Sequence, residues 1–359
     1  MQNAGSSEVF PVAQSSRLPF RREVTARHYR IPFVRTVTIA LLVLWGCIPS
    51  VLHAQTEWKD RGISMARENQ VNPSIAYPTR TDITTTVWED ERDPQNGKDI
   101  FIATFDNFTG TNLWVWDAYL PDVVKDRYDG VPVCRAEFDQ RNPRVAYDGM
   151  GGVIVTWEDY RNDPTMTTAD IYAMRIDLAT GQPDPNWPID GIPVCQTGFH
   201  AERPRIVGTV DGAFITWIDY RNDPGYPPYN RDIFVQYIQS ATAACPPYPT
   251  NWVQNGIPVP TNTNPDQINP ELDTDNILVL DLLGNMTQGV VVTYQDDRYS
   301  GAYSGQPVWT VFANRIDANG VQMYTVGPPP WSADIPVSPS YEHQEYPRIC
   351  YASGKVANW

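Results

Sequence analysis

Short apolar segments separated by turn residues recur along this chain from about residue 69 onwards. Residues 153–157 are apolar almost throughout, which is typical of a strand buried on both faces. Residues 144–147 predict a preceding strand that begins after Pro143. The glycines within residues 148–152 suit the positive φ of a tight turn between the two strands.

A third and a fourth strand complete the unit. The third is predicted over residues 170–177, and the fourth runs through Trp187 to the Gly-Ile-Pro-Val segment at 191. Trp252 and Trp331 lead to similar segments at 256 and 334. Four strands per unit favour a β-propeller blade, since a tandem sandwich would need about 100 residues per domain.

A signature loop, W-x-D-x-R followed by D-I-[YF], links the second and third strands. Its copies are Trp88, Asp90 and Arg92; Trp157, Asp159 and Arg161; Trp217, Asp219 and Arg221; and Tyr294, Asp296 and Arg298. We interpret it as structural: the Trp fills space between blades, the Asp accepts N–H groups of the turn, and the Arg forms a forked ion pair. The fourth copy has Tyr294 for Trp and Thr310 for the strand-opening Asp, which predicts a weaker clamp.

The prolines that open the units define the organisation of the chain. They are Pro73, Pro143, Pro204, Pro270 and Pro347. The predicted repeats span residues 69–138, 139–199, 200–264 and 265–341, with a partial fifth at 342–359. The expected fold is therefore all-β, a propeller of four-stranded blades that is an incomplete fragment truncated at Trp359, because an open ring leaves strand edges exposed.

The N-terminal region predicts export. Residues 1–54 combine a basic leader with an apolar run that ends near Ala54, and residues 55–68 form a linker. An uncleaved membrane anchor and a lipid on Cys47 stay open as alternatives. The net charge of −15 argues against nucleic acid and anionic membranes as partners, and it favours cations such as Ca²⁺.

Four cysteines follow the leader: Cys134, Cys195, Cys245 and Cys350. Export permits disulfides, and the three possible pairings stay open. Cys134 and Cys195 hold equivalent places in successive repeats, so we expect them to be too far apart to bridge. No C-x-x-C pair suggests a cysteine zinc site.

Candidate ligand residues lie where the repeats differ. The fourth position before each anchoring proline holds Asn69, Asp139, His200, Asp266 and His343. At the mouth of a central channel, the last four would resemble a metal-binding set, or simply form a solvated polar rim. The Tyr226–Pro–Pro–Tyr229 loop would stack on a sugar or a peptide, or serve as a stiff surface loop.

The loop aspartates allow a second metal hypothesis, one Ca²⁺ per signature loop. The oxygens would come from Asp159, Asp163 and Asp170; from Asp219, Asp223 and Asp232; or from Asp90, Asp93 and Asp99. No loop matches the twelve-residue calcium pattern, and a residue repeated in every blade is more often scaffold than site.

The signature pattern resembles a repeat of large secreted or cell-surface bacterial proteins, mostly uncharacterised and predicted to be propellers. The resemblance covers residues 69–359 and implies an exported propeller. Such proteins often carry adhesion modules or a C-terminal sorting domain. The resemblance says almost nothing about activity.

Three functions follow as hypotheses. The first is a non-catalytic propeller that binds a carbohydrate or protein through its loop face. The second is an extracellular glycoside hydrolase, by analogy of fold alone; the third is a purely structural surface module. Common catalytic motifs are absent. The Glu of Trp-Glu-Asp is Glu89 or Glu158 but becomes Ile218 and Gln295 elsewhere, so its role could differ between copies. Activity screening on polysaccharides with Asp139, Asp266, Glu158 and Glu202 mutated in turn would separate the hypotheses.

Overall fold

The computed structural model describes residues 68–77, 82–110, 112–114, 130–225, 229–245, 251–275, 279–280, 286–299, 308–322, 334–337 and 344–350. All of them belong to one unit, residues 54–359. The predicted leader, Tyr226, His343 and residues 351–359 lie outside the described residues. Within the described ranges there is no helix of the length and apolarity that crossing a membrane requires.

The described strands form four antiparallel four-stranded sheets, each in chain order. The first sheet contains β1 (Gln70–Ala76), β2 (Ile83–Asp90), β3 (Asp99–Asp106) and β4 (Val131–Cys134). The second contains β5 (Gln140–Tyr147), β6 (Gly152–Asp159), β7 (Asp170–Asp177) and β8 (Ile192–Cys195). The third contains β9 (Ala201–Gly208), β10 (Gly212–Asp219), β11 (Asp232–Gln239) and β12 (Ile257–Pro258).

The fourth sheet carries an insertion. After β13 (Gln267–Thr274), the strands β14 (Val279–Leu280) and β15 (Met286–Thr287) pair with each other. The sheet then continues with β16 (Val290–Asp296), β17 (Thr310–Ile316) and β18 (Ile335–Pro336). The expected all-β class and the four-stranded unit are confirmed.

The second strands form the centre of the core. Every residue of β6 and β10 is buried, as the two-sided apolar pattern predicts. Val155 and Trp157 pack in one apolar cluster with side chains of the first and third sheets, such as Ile100 and Ile215. A second cluster joins the third sheet to the fourth. Neighbouring sheets are therefore held together by shared apolar surface.

Each first strand starts earlier than predicted and contains a bulge. In the second sheet, pairing with β6 already begins at Gln140, and the register shifts between Arg141 and Arg144. The residue before the anchoring proline has φ near 52° in every copy: Asn72, Asn142, Arg203, Asn269 and Tyr346. This left-handed conformation is unfavourable for Arg and Tyr, so it needs support from neighbouring structure.

The fourth strands are shorter than predicted, and Trp187 and Trp252, expected within them, lie before them; Trp331 is outside the described residues. Trp187 Nε1 donates a hydrogen bond to Ser240 O of the third sheet at 3.0 Å. Trp114 and Trp252 make the same bond to the next sheet, at 3.0 Å to Leu178 O and 2.9 Å to Ala318 O. These side chains therefore link sheets, and their buried N–H groups find partners.

The signature Asp is the hub of a local clamp. Asp159 Oδ1 accepts from the backbone N (2.9 Å) and Nε (2.8 Å) of Arg161, and Oδ2 accepts from Arg161 Nη2 and Trp157 Nε1, both at 2.6 Å. Asp90 and Asp219 make the same four bonds. The predicted fork and turn contacts are present; the tryptophan donor was not predicted.

The clamp also explains the aromatic residue of D-I-[YF]. The Arg161 guanidinium lies 4.1 Å from the ring centroid of Tyr172, and the Trp157 ring stacks on Tyr172 at 6.4 Å. The other three copies have an arginine at 3.8–4.0 Å from Phe101, Phe234 and Phe312. The aromatic side chain thus shields the ion pair from water, and an ion pair is stronger when water is excluded.

The fourth clamp compensates for its lost tryptophan. Tyr294 stands where the other copies have the tryptophan that donates through Nε1. Arg298 keeps its fork to Asp296, with Nε to Oδ1 at 2.8 Å and Nη2 to Oδ2 at 2.7 Å. Arg298 Nη1 also forms an ion pair with Asp334 at 2.8 Å. The expected weakening is thus offset by a second carboxylate.

All four cysteines after the leader are free thiols. Cys134 and Cys195 are buried and each contacts the arginine of the following clamp, Arg161 Nη2 at 3.1 Å and Arg221 Nη2 at 3.6 Å. Burial raises the pKa of both thiols. They are therefore poor nucleophiles that fill space between sheets.

We predict that Asp159→Ala destabilises the protein by about 3 to 5 kcal/mol, because it leaves a mostly buried guanidinium and an indole N–H without their acceptor. Urea unfolding measures the change. Glu137→Ala is the control: this side chain is exposed, and its loss should cost less than about 0.5 kcal/mol. Equal effects of the two variants would contradict the clamp.

Candidate functional site

The predicted channel-mouth residues connect one sheet to the next. Asp139 Oδ1 accepts from Lys98 N at 3.1 Å, and His200 Nδ1 accepts from Ala169 N at 3.0 Å. In the same way Asp266 Oδ1 accepts from Arg231 N at 3.0 Å. Each donor lies just before the third strand of the preceding sheet, so these side chains hold neighbouring sheets in register.

The two aspartates of this set are further occupied by arginines. Asp139 Oδ2 accepts from Arg141 Nε at 2.8 Å, and Asp266 accepts a two-pronged contact from Arg231. Tyr229 is half-exposed, with the Arg231 guanidinium 5.4 Å from its ring centroid. Ligand binding by these residues stays a prediction, and for Asp139 and Asp266 the structure provides a structural role instead.

The calcium site proposed for each loop is not assembled. Asp163 caps its own turn, with Oδ2 accepting from Thr167 N at 3.0 Å and Thr168 N at 2.8 Å. Asp170 and Asp232 accept from Asn162 and Asn222, at 2.8 and 2.7 Å. Across the described ranges, no three of His, Cys, Asp and Glu are placed to hold a metal ion.

The glutamate of Trp-Glu-Asp supports the bulge of the next sheet. Glu158 Oε1 accepts from Asn142 Nδ2 at 2.8 Å and from Arg203 N at 2.7 Å. Glu89 repeats this contact with Asn72 Nδ2 (2.6 Å) and Asn142 N (2.8 Å). The N–H of each left-handed residue is thereby bound across the sheet boundary.

The third and fourth copies show which part of this contact is essential. Gln295 Oε1 accepts from Asn269 Nδ2 and from Tyr346 N, so an uncharged amide preserves both bonds. The third copy has Ile218, which provides no acceptor. The negative charge of Glu158 is therefore not required for holding the bulge.

The boundary between the second and third sheets adds a second carboxylate beside Glu158. Glu202 directly precedes Arg203, and its Oε1 accepts from Tyr220 OH at 2.7 Å. His200 Nε2 lies 3.7 Å from Glu202 Oε2, and the His200 ring packs 5.1 Å from that of Tyr220. The corresponding residues in the other described first strands are Val71, Arg141 and Ile268. We call Glu158, Glu202, His200 and Tyr220 the Glu158–Glu202 cluster.

The environment drives the two carboxyl pKa values apart. Burial raises the pKa of Glu158 above its usual 4.5, and the charge of Glu202 adds to the effect. Burial also acts on Glu202, but His200, the Tyr220 hydroxyl and Arg203 outweigh it and lower the pKa of Glu202 to about 2. Glu158 is thus the group that keeps a proton longer, and Glu202 the one that stays ionised.

The cluster has the character of an acid–base pair. Glu158 is buried, and among the described residues only its Oε1 is hydrogen-bonded, to Asn142 and Arg203. Because His200 Nδ1 accepts from Ala169, its imidazole proton is on Nε2, facing Glu202. Two carboxyl groups with divergent pKa values are the usual requirement for general acid and base roles.

Comparison with known proteins identifies no family. No family model matches, and no curated protein matches. Solved structures with similar folds include a thermostable family-43 glycoside hydrolase (12% identity, 72% of this chain and 73% of that chain, TM-score 0.35). An α-L-arabinanase of Penicillium chrysogenum complexed with arabinobiose is 10% identical, over 70% of this chain and 68% of that chain, with a TM-score of 0.40. A family 117 glycoside hydrolase of Zobellia galactanivorans is 10% identical, over 76% of each chain, with a TM-score of 0.35.

These neighbours correct the first functional hypothesis. All three are glycoside hydrolases, which contradicts the prediction of a non-catalytic binding module, and that prediction is withdrawn. With TM-scores below 0.5, the likeness carries no functional weight of its own. A function for this chain therefore has to be argued from the residues of the site.

We predict that Glu202 makes stability depend on acid pH. Its folded-state pKa of about 2 is below the ordinary 4.5, so its ionised form stabilises the fold above pH 4.5, and this contribution is lost as pH falls towards 2. In urea unfolding between pH 5 and 3, Glu202→Gln should lose less stability than the parent. Glu137→Gln, an exposed control, should follow the parent; a Glu202→Gln curve parallel to the parent would refute the assignment.

Proposed function

We propose that this protein is an exported glycoside hydrolase-like β-propeller enzyme that acts on carbohydrate through the Glu158–Glu202 cluster. The observation that carries the proposal is the pair of adjacent carboxyl groups with oppositely shifted pKa values, at the boundary of the second and third sheets. Export is proposed from the basic, apolar leader, and a relationship to secreted bacterial repeat proteins from the W-x-D-x-R pattern.

Contacts between the first strands support the propeller. β1 packs on β5, β5 on β9, and β9 on β13. Glu271 on β13 contacts Arg205 on β9, with Nε to Oε1 at 3.1 Å, and also Arg348 of the partial fifth repeat. Gln344 N donates to Trp309 O at 2.8 Å, the backbone contact that Gln267 N makes to Arg231 O in the preceding sheet. Such a succession of first strands favours a common axis.

The proposed chemistry assigns one role to each carboxyl. Glu158, whose pKa is raised by burial, donates a proton to the glycosidic oxygen as its bond to the anomeric carbon breaks. Glu202 remains ionised: it stabilises the positive charge that develops on the sugar ring and accepts a proton from the water whose oxygen forms the new bond to the anomeric carbon. His200 and Tyr220 hold Glu202 in place and keep it ionised.

We predict that Glu158→Gln and Glu202→Gln each lower polysaccharide hydrolysis at least about 100-fold, because a general acid or base contributes roughly that much. Glu158→Gln is expected to fold normally, since Gln295 makes the same contacts in the fourth sheet. Release of reducing sugar from a panel of polysaccharides measures the activity, and thermal unfolding checks the fold.

Glu89→Gln is the matched control. Glu89 supports the equivalent bulge but is paired with Lys98 at 2.8 Å. Its substitution should leave turnover unchanged. Full activity of Glu158→Gln would refute the acid assignment, and no turnover of any glycan by the parent protein would favour a purely structural module.

A further inference from the structure

A group of arginines lies where the first strands meet. The residue that follows each anchoring proline is Ser74, Arg144, Arg205, Glu271 or Arg348 in the successive repeats. Glu271 pairs with both Arg205 and Arg348. Two of the three arginines therefore share one carboxylate.

Arg144 is the arginine without a carboxylate. Its Nη1 donates to the carbonyl of the adjacent Pro143 at 2.7 Å, and it forms no ion pair with any described residue. It is only partly exposed, and burial together with the neighbouring Arg205 lowers its pKa. A partly desolvated guanidinium beside a second one is stabilised by an anion that bridges the two.

Arg144 also lies near the candidate reacting groups. It is on the same strand, β5, as Asn142, whose side chain binds Glu158. The charge of Glu158 acts on Arg144 from this position. An anionic group held by Arg144 would therefore be close to the glycosidic oxygen that Glu158 protonates.

We propose that Arg144, with Arg205, binds an anionic substituent of the substrate, so that the polysaccharide is a carboxylated or sulfated one. That the anion belongs to a substrate rests on the proposed function, but anion binding itself does not require turnover. Since the whole chain carries −15, general charge attraction does not favour a polyanion, and binding must depend on these arginines.

The test measures binding of three polymers to the full chain carrying Glu202→Gln, which slows turnover. Polygalacturonate supplies carboxylates, carrageenan supplies sulfates, and arabinan is neutral. We expect binding to one of the two anionic polymers, weakened by salt, and about a ten-fold loss of affinity in Arg144→Gln. The polymer that binds identifies the anion.

Two further variants keep the result interpretable. Arg135→Gln removes the same charge from a half-exposed arginine at β4, and its affinity should equal that of the parent. Arg348→Gln alters a side chain that is 73% exposed, so it tests the arginine group without disturbing the core. The Arg348→Gln substitution leaves Glu271 paired with Arg205 alone, and it should weaken binding less than Arg144→Gln does.

The outcomes separate the two proposals. Equal affinity for neutral and anionic polymers, or unchanged binding by Arg144→Gln, would overturn the anion site even if the parent hydrolyses arabinan. Anion binding that depends on Arg144, without hydrolysis by the parent protein, would uphold the site and overturn the proposed enzyme.

Discussion

The buried aspartate of the signature loop is the interaction on which the rest of the structure depends. A carboxylate such as Asp159 has almost no access to water, so it is tolerable only because both oxygens are occupied by Arg161 and Trp157. Those bonds set the direction in which the chain leaves the second strand. They also place the arginine against the aromatic residue of the third strand. Each sheet therefore contains its own rigid corner.

Rigid corners allow the boundaries between sheets to use the same few contacts repeatedly. A tryptophan N–H, a carboxyl or imidazole before the first strand, and a glutamate at the bulge each bind the neighbouring sheet. The left-handed residue before each proline is held in place by the last of these where an acceptor is present. Strain in one sheet is thus offset by a hydrogen bond from another.

Function is expected where this repetition fails. At the second boundary His200 replaces an aspartate, Glu202 replaces an apolar or basic residue, and the acceptor of the third sheet is lost at Ile218. These changes bring a buried carboxyl and an ionised one together next to Arg144, which forms no ion pair with a described residue. A site with this asymmetry is available to one ligand at one position, whereas the clamps recur in every sheet.

The sequence by itself determined the all-β class, the four-stranded unit, the buried second strand and the Asp–Arg fork, because those contacts join residues close in the chain. It did not determine that Asp139 and Asp266 bridge sheets, that Trp187 lies outside its strand, or that Glu158 stands beside Glu202. It also left Arg144 and Glu271 unrecognised. Such contacts join residues tens of positions apart, and only the packing of one sheet on the next decides which side chains meet and which lose water.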